Sequence, residues 1–193
     1  MRIILAILFV FVSMTNVRSQ KRHWSAPDHL VLQYAGSIGY FSGGVGYNVF
    51  RDRARASLQF GHVPKAVGGP LNIFATKFMF VPRKPYRLSD RSTLSPFDFG
   101  LMVSYHLGED FRSTWPEHRY PERYYWWQTS FRFHLNYQPS VTIKIRDHTT
   151  FKAVSGYLEL NTNELYLISL FQNLHALKVW DIMKLGAGMR VHF

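Results

Sequence analysis

The sequence predicts an all-β fold: a closed antiparallel up-and-down transmembrane β-barrel of eight strands, with ten strands as the alternative. Three observations carry this expectation. Residues 184–193 alternate without a fault, Leu185, Ala187, Met189, Val191 and Phe193 against Gly186, Gly188, Arg190 and His192, and they stop on an aromatic residue. Strand side chains point alternately to opposite faces, so this segment has one apolar and one polar face. The same alternation recurs in segments bounded by turn signals along the rest of the chain. Aromatic residues make up 17% of the sequence, at a mean hydropathy of −0.13, which suits strands that are half lipid-facing and half wet.

Residues 1–19 read as a removable leader, leaving a single domain at 20–193. Arg2 supplies a positive start, residues 3–12 an apolar run, and Val17-Arg18-Ser19 a cleavage site before Gln20. The run is too short for a membrane-spanning helix, which needs about 20 residues. The chain has no cysteine, so an exported domain of this size must be held by hydrogen bonds and packing alone. A closed barrel does that, because every backbone group is paired and no edge stays open. The net charge is +11. For an exported chain that excess points to anionic lipid headgroups or lipopolysaccharide phosphates as partners, and not to nucleic acid.

The strands follow in order. Residues 30–37 form the first after a short tether. Residues 40–50 form the second, where Gly43, Gly44 and Gly46 allow close backbone approach in a small barrel. Arg51-Asp52-Arg53 turns the chain into the third, 54–62, with Ala56, Leu58 and Phe60 opposite Arg55, Ser57 and Gln59. Residues 63–70 hold two prolines and two glycines and read as a loop. The fourth strand is 71–81, where Phe74, Phe78 and Phe80 share a face. Residues 82–96 are a basic connection without a period; its run Arg83-Lys84-Pro85-Tyr86-Arg87 suits anionic headgroups or plain solvation. The fifth strand, 97–107, sets Phe97, Phe99, Leu101, Val103 and Tyr105 against Asp98, Gly100, Met102, Ser104 and His106. Residues 108–123 form a polar loop. The sixth strand is 124–137, and its start carries Tyr124, Tyr125 and Trp127 of an aromatic girdle at headgroup level. Residues 141–160 are an interrupted seventh strand and 184–193 the eighth. Residues 165–171 are nearly all apolar and fit a further strand or a short helix packed on the barrel. Counting 141–146 and 165–171 separately gives the ten-strand alternative. With both termini on the periplasmic side, loops 63–70, 108–123 and 161–183 lie outside the cell and 82–96 inside.

The polar faces define a lumen. Arg55, Lys77, Asp98, Arg132, Glu159 and Arg190 fall on the inward side, where charges must be paired or hydrated. An eight-stranded barrel is just wide enough to fill with side chains, so interlocked ion pairs and not a pore are expected. Ser104, His106 and Asp98 share that side and are the candidate nucleophile, base and orienting acid of a hydrolase. Residues two apart on one face lie roughly 6.5–7 Å apart, so a satisfied polar lumen is the competing explanation. His106, His134 and His192 also point inward, but no metal-ligand spacing joins them, and no metal or cofactor is expected. The acidic loop residues Glu109, Asp110, Glu117 and Glu122 lack the calcium-loop spacing. Periodicity alone does not say which face is outside; a soluble exported barrel holding an apolar ligand alternates too.

The leader, the short alternating strands, the cluster Tyr124-Tyr125-Trp126-Trp127 and the closing Arg190-Val191-His192-Phe193 resemble small single-chain outer-membrane β-barrel proteins. The resemblance covers the mature chain at the level of pattern. It implies residence in the outer membrane, contact with its lipid and lipopolysaccharide, and Phe193 as the signal read by the outer-membrane insertion machinery. Among enzymes the architecture is similar to lipid A 3-O-deacylase, an eight-stranded barrel with a His-x-Ser pair on a late strand. No candidate strand here carries that pair; Ser104-Tyr105-His106 has the reverse order. The expected role is structural or interactive, in concert with an envelope protein partner. Acyl-ester hydrolysis on lipid A or phospholipid is the alternative.

Overall fold

The computed structural model describes residues 26–107, 130–145 and 150–193. Its strands are β1 (His29–Ala35), β2 (Phe41–Val49), β3 (Ala54–Val63), β4 (Leu71–Phe80), β5 (Tyr86–Arg87), β6 (Ser92–Ser95), β7 (Phe99–Leu107), β8 (Phe131–Tyr137), β9 (Ser140–Lys144), β10 (Ala153–Asn163) and β11 (Lys184–His192). One helix, α1 (Glu164–Gln172), lies between β10 and β11, and short 3-10 turns occupy Lys65–Val67 and Val179–Ile182.

Eight of these strands close a ring in the order β1-β2-β3-β4-β7-β8-β10-β11, and β11 pairs back onto β1. Every pairing is antiparallel. At the seam His29 stands opposite His192 and Ala35 opposite Gly186. A ring without an edge leaves no row of N–H and C=O groups in need of water. The eight-stranded closed barrel expected from the alternation is therefore the fold.

The remaining strands lengthen the ring at the end where β1 begins and β11 finishes. β9 continues β8 past Gln138 and Pro139, and pairs with the first half of β10, Lys144 opposite Ala153. β8 pairs with the second half, His134 opposite Asn163. Proline has no N–H to give to the ladder, yet the Pro139 carbonyl still accepts from Leu158 N at 3.1 Å, so the stave is interrupted without being broken. β6 leads into β7 in the same manner and pairs with β9, and β5 pairs with β6.

One expectation is corrected here, and the choice between strand and helix at residues 165–171 is settled. Residues 141–144 extend the sixth strand and are not part of the seventh, which is β10 alone. Residues 165–171 form α1 and not a strand, because Asn163 caps a helix there, its side chain accepting from Tyr166 N at 3.0 Å. Together these remove the ten-strand alternative. The 82–96 connection contains the β5–β6 hairpin, whose two partners lie on strands too short to show a period. The girdle residues Tyr124, Tyr125 and Trp127, the leader, and the acidic loop 108–123 lie outside the described residues.

The two faces of the barrel differ sharply. On β4, Phe74, Phe78 and Phe80 are exposed while Ile73, Ala75, Lys77 and Met79 between them are buried. On β7 and β10, Leu101 is 61% exposed and Glu159 is 0% exposed. Leu32, Leu58, Phe60, Phe99, Phe133, Leu135, Leu158 and Leu185 continue the outward apolar belt around the ring. The apolar faces look out and the polar faces look in.

One end of the lumen is stoppered by the chain itself. Gly36 and Gly39, at φ +86° and +127°, turn the β1–β2 connection inward and carry Ile38 into the barrel. Ile38 is fully buried against Ile73, Ala75 and Met102. Its carbonyl occupies the space a side chain at Gly61 would need. Likewise, Gly188 on β11 leaves room for the Tyr157 ring inside the barrel, whereas Gly156 on the outer face of β10 has open space.

These two glycines make a paired test. Gly188→Val forces a side chain into the Tyr157 ring and costs about 1–3 kcal/mol of overpacking. Gly156→Val faces outward and leaves stability within about 0.5 kcal/mol. Urea midpoints of the refolded, micelle-bound variants check the difference; equal midpoints contradict the assignment of faces.

Candidate functional site

The lumen is the one region where chemistry-bearing side chains converge among the described residues. At its middle Lys77 of β4 pairs with Glu159 of β10, two strands on well-separated walls, with side chains 1% and 0% exposed. A carboxylate buried this deeply must be surrounded by donors. Glu159 accepts from Lys77, from Gln33 Nε2 at 3.1 Å and from Gln138 Nε2 at 2.9 Å. Lys77 Nζ also donates to Gln33 Oε1 at 3.3 Å, and Tyr157 Oη donates to that same oxygen at 3.0 Å. Gln138 Oε1 in turn accepts from Arg190 Nη1 at 2.6 Å, and the Arg190 guanidinium lies 4.9 Å from the centre of the Tyr157 ring. Four strands and the β8–β9 junction are thereby tied through one connected set of polar groups and one ring face.

A second pair lies toward the end where β1 begins and β11 finishes. Arg55 of β3 meets Asp98 at 2.5 Å, and Asp98 also accepts from Ser95 Oγ at 2.6 Å. Next to it His192 shares a 2.7 Å hydrogen bond with Ser155, and its ring lies 5.3 Å from that of His29. Between the two ion pairs a void of about 10 Å³, lined by His29, Arg55, Lys77, Tyr157 and Arg190, has room for one water.

Toward the opposite end Ser104 Oγ lies 2.8 Å from His134 Nε2 and 3.5 Å from His106 Nε2. His134 Nδ1 lies 3.0 Å from Asn161 Oδ1. That oxygen accepts from Nδ1–H, which leaves Nε2 free to accept from the Ser104 hydroxyl. Asn161 Oδ1 also accepts from Ser37 Oγ at 2.5 Å, and Asn161 Nδ2 donates to Asn136. The order nucleophile, imidazole, orienting oxygen is that of a hydrolytic triad. A triad also needs a place for the reacting carbonyl. Ser104 and Asn161 are 0% exposed and His134 is 3% exposed, beneath the Ile38 stopper.

The residues singled out from the sequence thus fall into three places. Lys77 joins Glu159, and Arg55 joins Asp98. Arg132 lies 3.6 Å from Glu164 at the start of α1, a partner sequence reasoning missed. Arg190 is held by Gln138 and Tyr157. Ser104 and His106 are adjacent, but Asp98 is at the far end of the same stave, engaged with Arg55 and Ser95, and does not orient His106. The nearer imidazole to Ser104, His134 at 2.8 Å, comes from β8. Phe193 donates its N–H to Asp28 O at 3.0 Å and stacks near Phe151 at 5.7 Å. Gln33, Gln138 and Tyr157 were also missed as members of the central set. The signal for Gln138 was there, since the inward phase Arg132, His134, Asn136 runs on to Gln138 and Ser140. The described residues contain no cluster of three His, Cys, Asp or Glu able to hold a metal ion.

Compared with protein-family models, with curated proteins and with solved structures, the chain matches none. Its one His-x-Ser spacing, His23-Trp24-Ser25, precedes β1 and lies outside the described residues.

The central pair gives a direct test. Lys77→Met leaves Glu159 buried without its cation and costs about 3–5 kcal/mol. Lys77→Met combined with Glu159→Gln removes both charges and recovers most of that loss. A double-mutant cycle on urea unfolding midpoints reads the coupling, and additive losses contradict it.

Proposed function

We propose that this chain is an integral outer-membrane β-barrel with a structural or interaction role in the cell envelope, its lumen plugged by its own charged side chains. One observation carries the reading: a continuous belt of exposed Phe and Leu surrounds a barrel whose interior is ionic and amide-rich. In water that distribution is upside down. Each such side chain moved from water into lipid contributes about 1.5–3 kcal/mol at full burial, so the belt is favourable only against hydrocarbon. The belt fits insertion by the outer-membrane assembly machinery. The void of about 10 Å³ between the two ion pairs suits one water and is too small for an apolar ligand.

Charge supports an orientation. The end where β1 begins and β11 finishes exposes Arg51, Arg53, Arg83, Lys84, Arg87, Arg91, Lys144 and Lys152 against Asp52 and Asp90, with Asp28 half-buried. This cationic rim suits anionic phospholipid headgroups of the periplasmic leaflet. The opposite rim, with its longer connections, faces lipopolysaccharide and the exterior. Working surfaces are then the belt and the two rims, and an envelope protein is the partner.

Fractionation and gel mobility test this. The protein is expected in the outer-membrane fraction, released only by detergent, with unheated and boiled samples migrating differently because the folded barrel resists SDS. Recovery in the soluble fraction without a mobility shift overturns it. A protein that travels with the extracted barrel identifies the interaction role.

The second reading, an acyl-ester hydrolase acting on lipid A or phospholipid, draws on Ser104–His134–Asn161. The burial of all three favours the structural role for them. Ser104→Ala is therefore expected to leave the lipid A mass spectrum unchanged; loss of a deacylated species in that variant establishes the hydrolase instead.

A further inference from the structure

Beyond β10 the chain makes an excursion that barrel closure does not require. Glu164, the only charged residue of α1, turns back to the barrel, where it accepts from Phe133 N at 2.8 Å and lies 3.6 Å from Arg132. From Leu165 to Leu177 the sequence then holds no Asp, Glu, Lys or Arg. Leu170 is buried, but Leu165, Tyr166, Ile168 and Phe171 stand exposed around the helix, Phe171 at 70%. Trp180, in the 3-10 turn that follows, is 75% exposed. A helix that is apolar on nearly every side is normally covered, and a cluster of exposed large apolar residues marks a surface in contact with something.

The position of this segment says what covers it. Glu164 fastens its first turn to Phe133 of β8. Its far end runs into β11, where Lys184 Nζ sits 5.3 Å from the centre of the Tyr166 ring. Both anchors lie on staves whose outward residues, Phe133, Leu135 and Leu185, belong to the apolar belt, so the helix meets the belt from the side. Lys178 within the segment and Lys184 just after it supply cations, with Asp181 between them turned to the Lys178 N–H at 2.8 Å, and cations at this height suit lipid phosphates.

Resting on the membrane reading above, we propose that residues 164–183 are an in-plane membrane anchor, their apolar side chains lying among the acyl chains of the leaflet at this rim. The segment does not cross the bilayer, being far too short, and no described helix is long and apolar enough to do so. It widens the barrel's footprint on one side only, beside β8, β10 and β11.

The absence of cysteine makes the test direct. Phe171→Cys and, separately, Trp180→Cys are spin-labelled in the full chain refolded into phosphatidylcholine–phosphatidylglycerol vesicles. Leu101→Cys on the belt and Asp90→Cys at the exposed cationic rim serve as references. Collision rates with oxygen, which concentrates in hydrocarbon, and with a water-soluble nickel chelate are compared. The expected result is a several-fold excess of oxygen over chelate collisions at Phe171→Cys and Trp180→Cys, as at Leu101→Cys and the reverse of Asp90→Cys. Chelate-dominated collisions at both loop positions, with Leu101→Cys still lipid-like, overturn the anchor and leave the membrane reading standing. Exclusion of both reagents at the two positions also overturns it, since the cover is then protein, such as a second copy. A chelate-dominated Leu101→Cys brings down both.

Discussion

Lys77 and Glu159 meet in the middle of the barrel, and the placement of the other central side chains follows from that meeting. Neither charge could persist so far from water alone; the cost of an isolated buried ion is several kcal/mol even after relaxation. Gln33 and Gln138 fill the remaining donor and acceptor positions, Tyr157 completes Gln33, and Arg190 completes Gln138. Gly188 exists to let the Tyr157 ring lie there. The pair joins β4 to β10 across the lumen, so it also fixes the cross-section of the cylinder. Without disulfides, this network and the closed ladder are what hold the chain together.

An interior occupied by charge and amide leaves the apolar half of every strand to face out. That single inversion links the local pattern to the proposed location. It sets the apolar belt on the outside and leaves the two rims as the polar surfaces. The same logic accounts for the Ser104–His134–Asn161 chain. Polar side chains inside a narrow barrel must satisfy one another, and a buried hydroxyl, imidazole and amide do so in an order that resembles a catalytic triad.

Much of the fold was legible because the two faces of each strand meet opposite environments. On β4, β7 and β11 the period of two is uninterrupted, and the side each residue takes follows directly. Legibility failed where that contrast is absent. Residues 165–171 are apolar throughout and carry no strand period, so only the Asn163 cap distinguishes the helix. Pro139 interrupts the sixth stave where its alternation continues, which made residues 141–144 read as belonging to the next strand. The membership of the lumen set was readable from phase for Arg55, Lys77, Asp98 and Glu159. Who pairs with whom was not, since Lys77 and Glu159 meet only through the register of strands far apart in sequence. For the same reason His134, and not its chain neighbour His106, is the nearer partner of Ser104.

The claim on which the rest depends is that hydrocarbon, and not water, surrounds the belt. Refolding the urea-unfolded chain with and without lipid vesicles tests it most directly. Strand circular dichroism and protease resistance are expected only when the bilayer is present. A monodisperse, protease-resistant monomer formed in buffer alone contradicts the account.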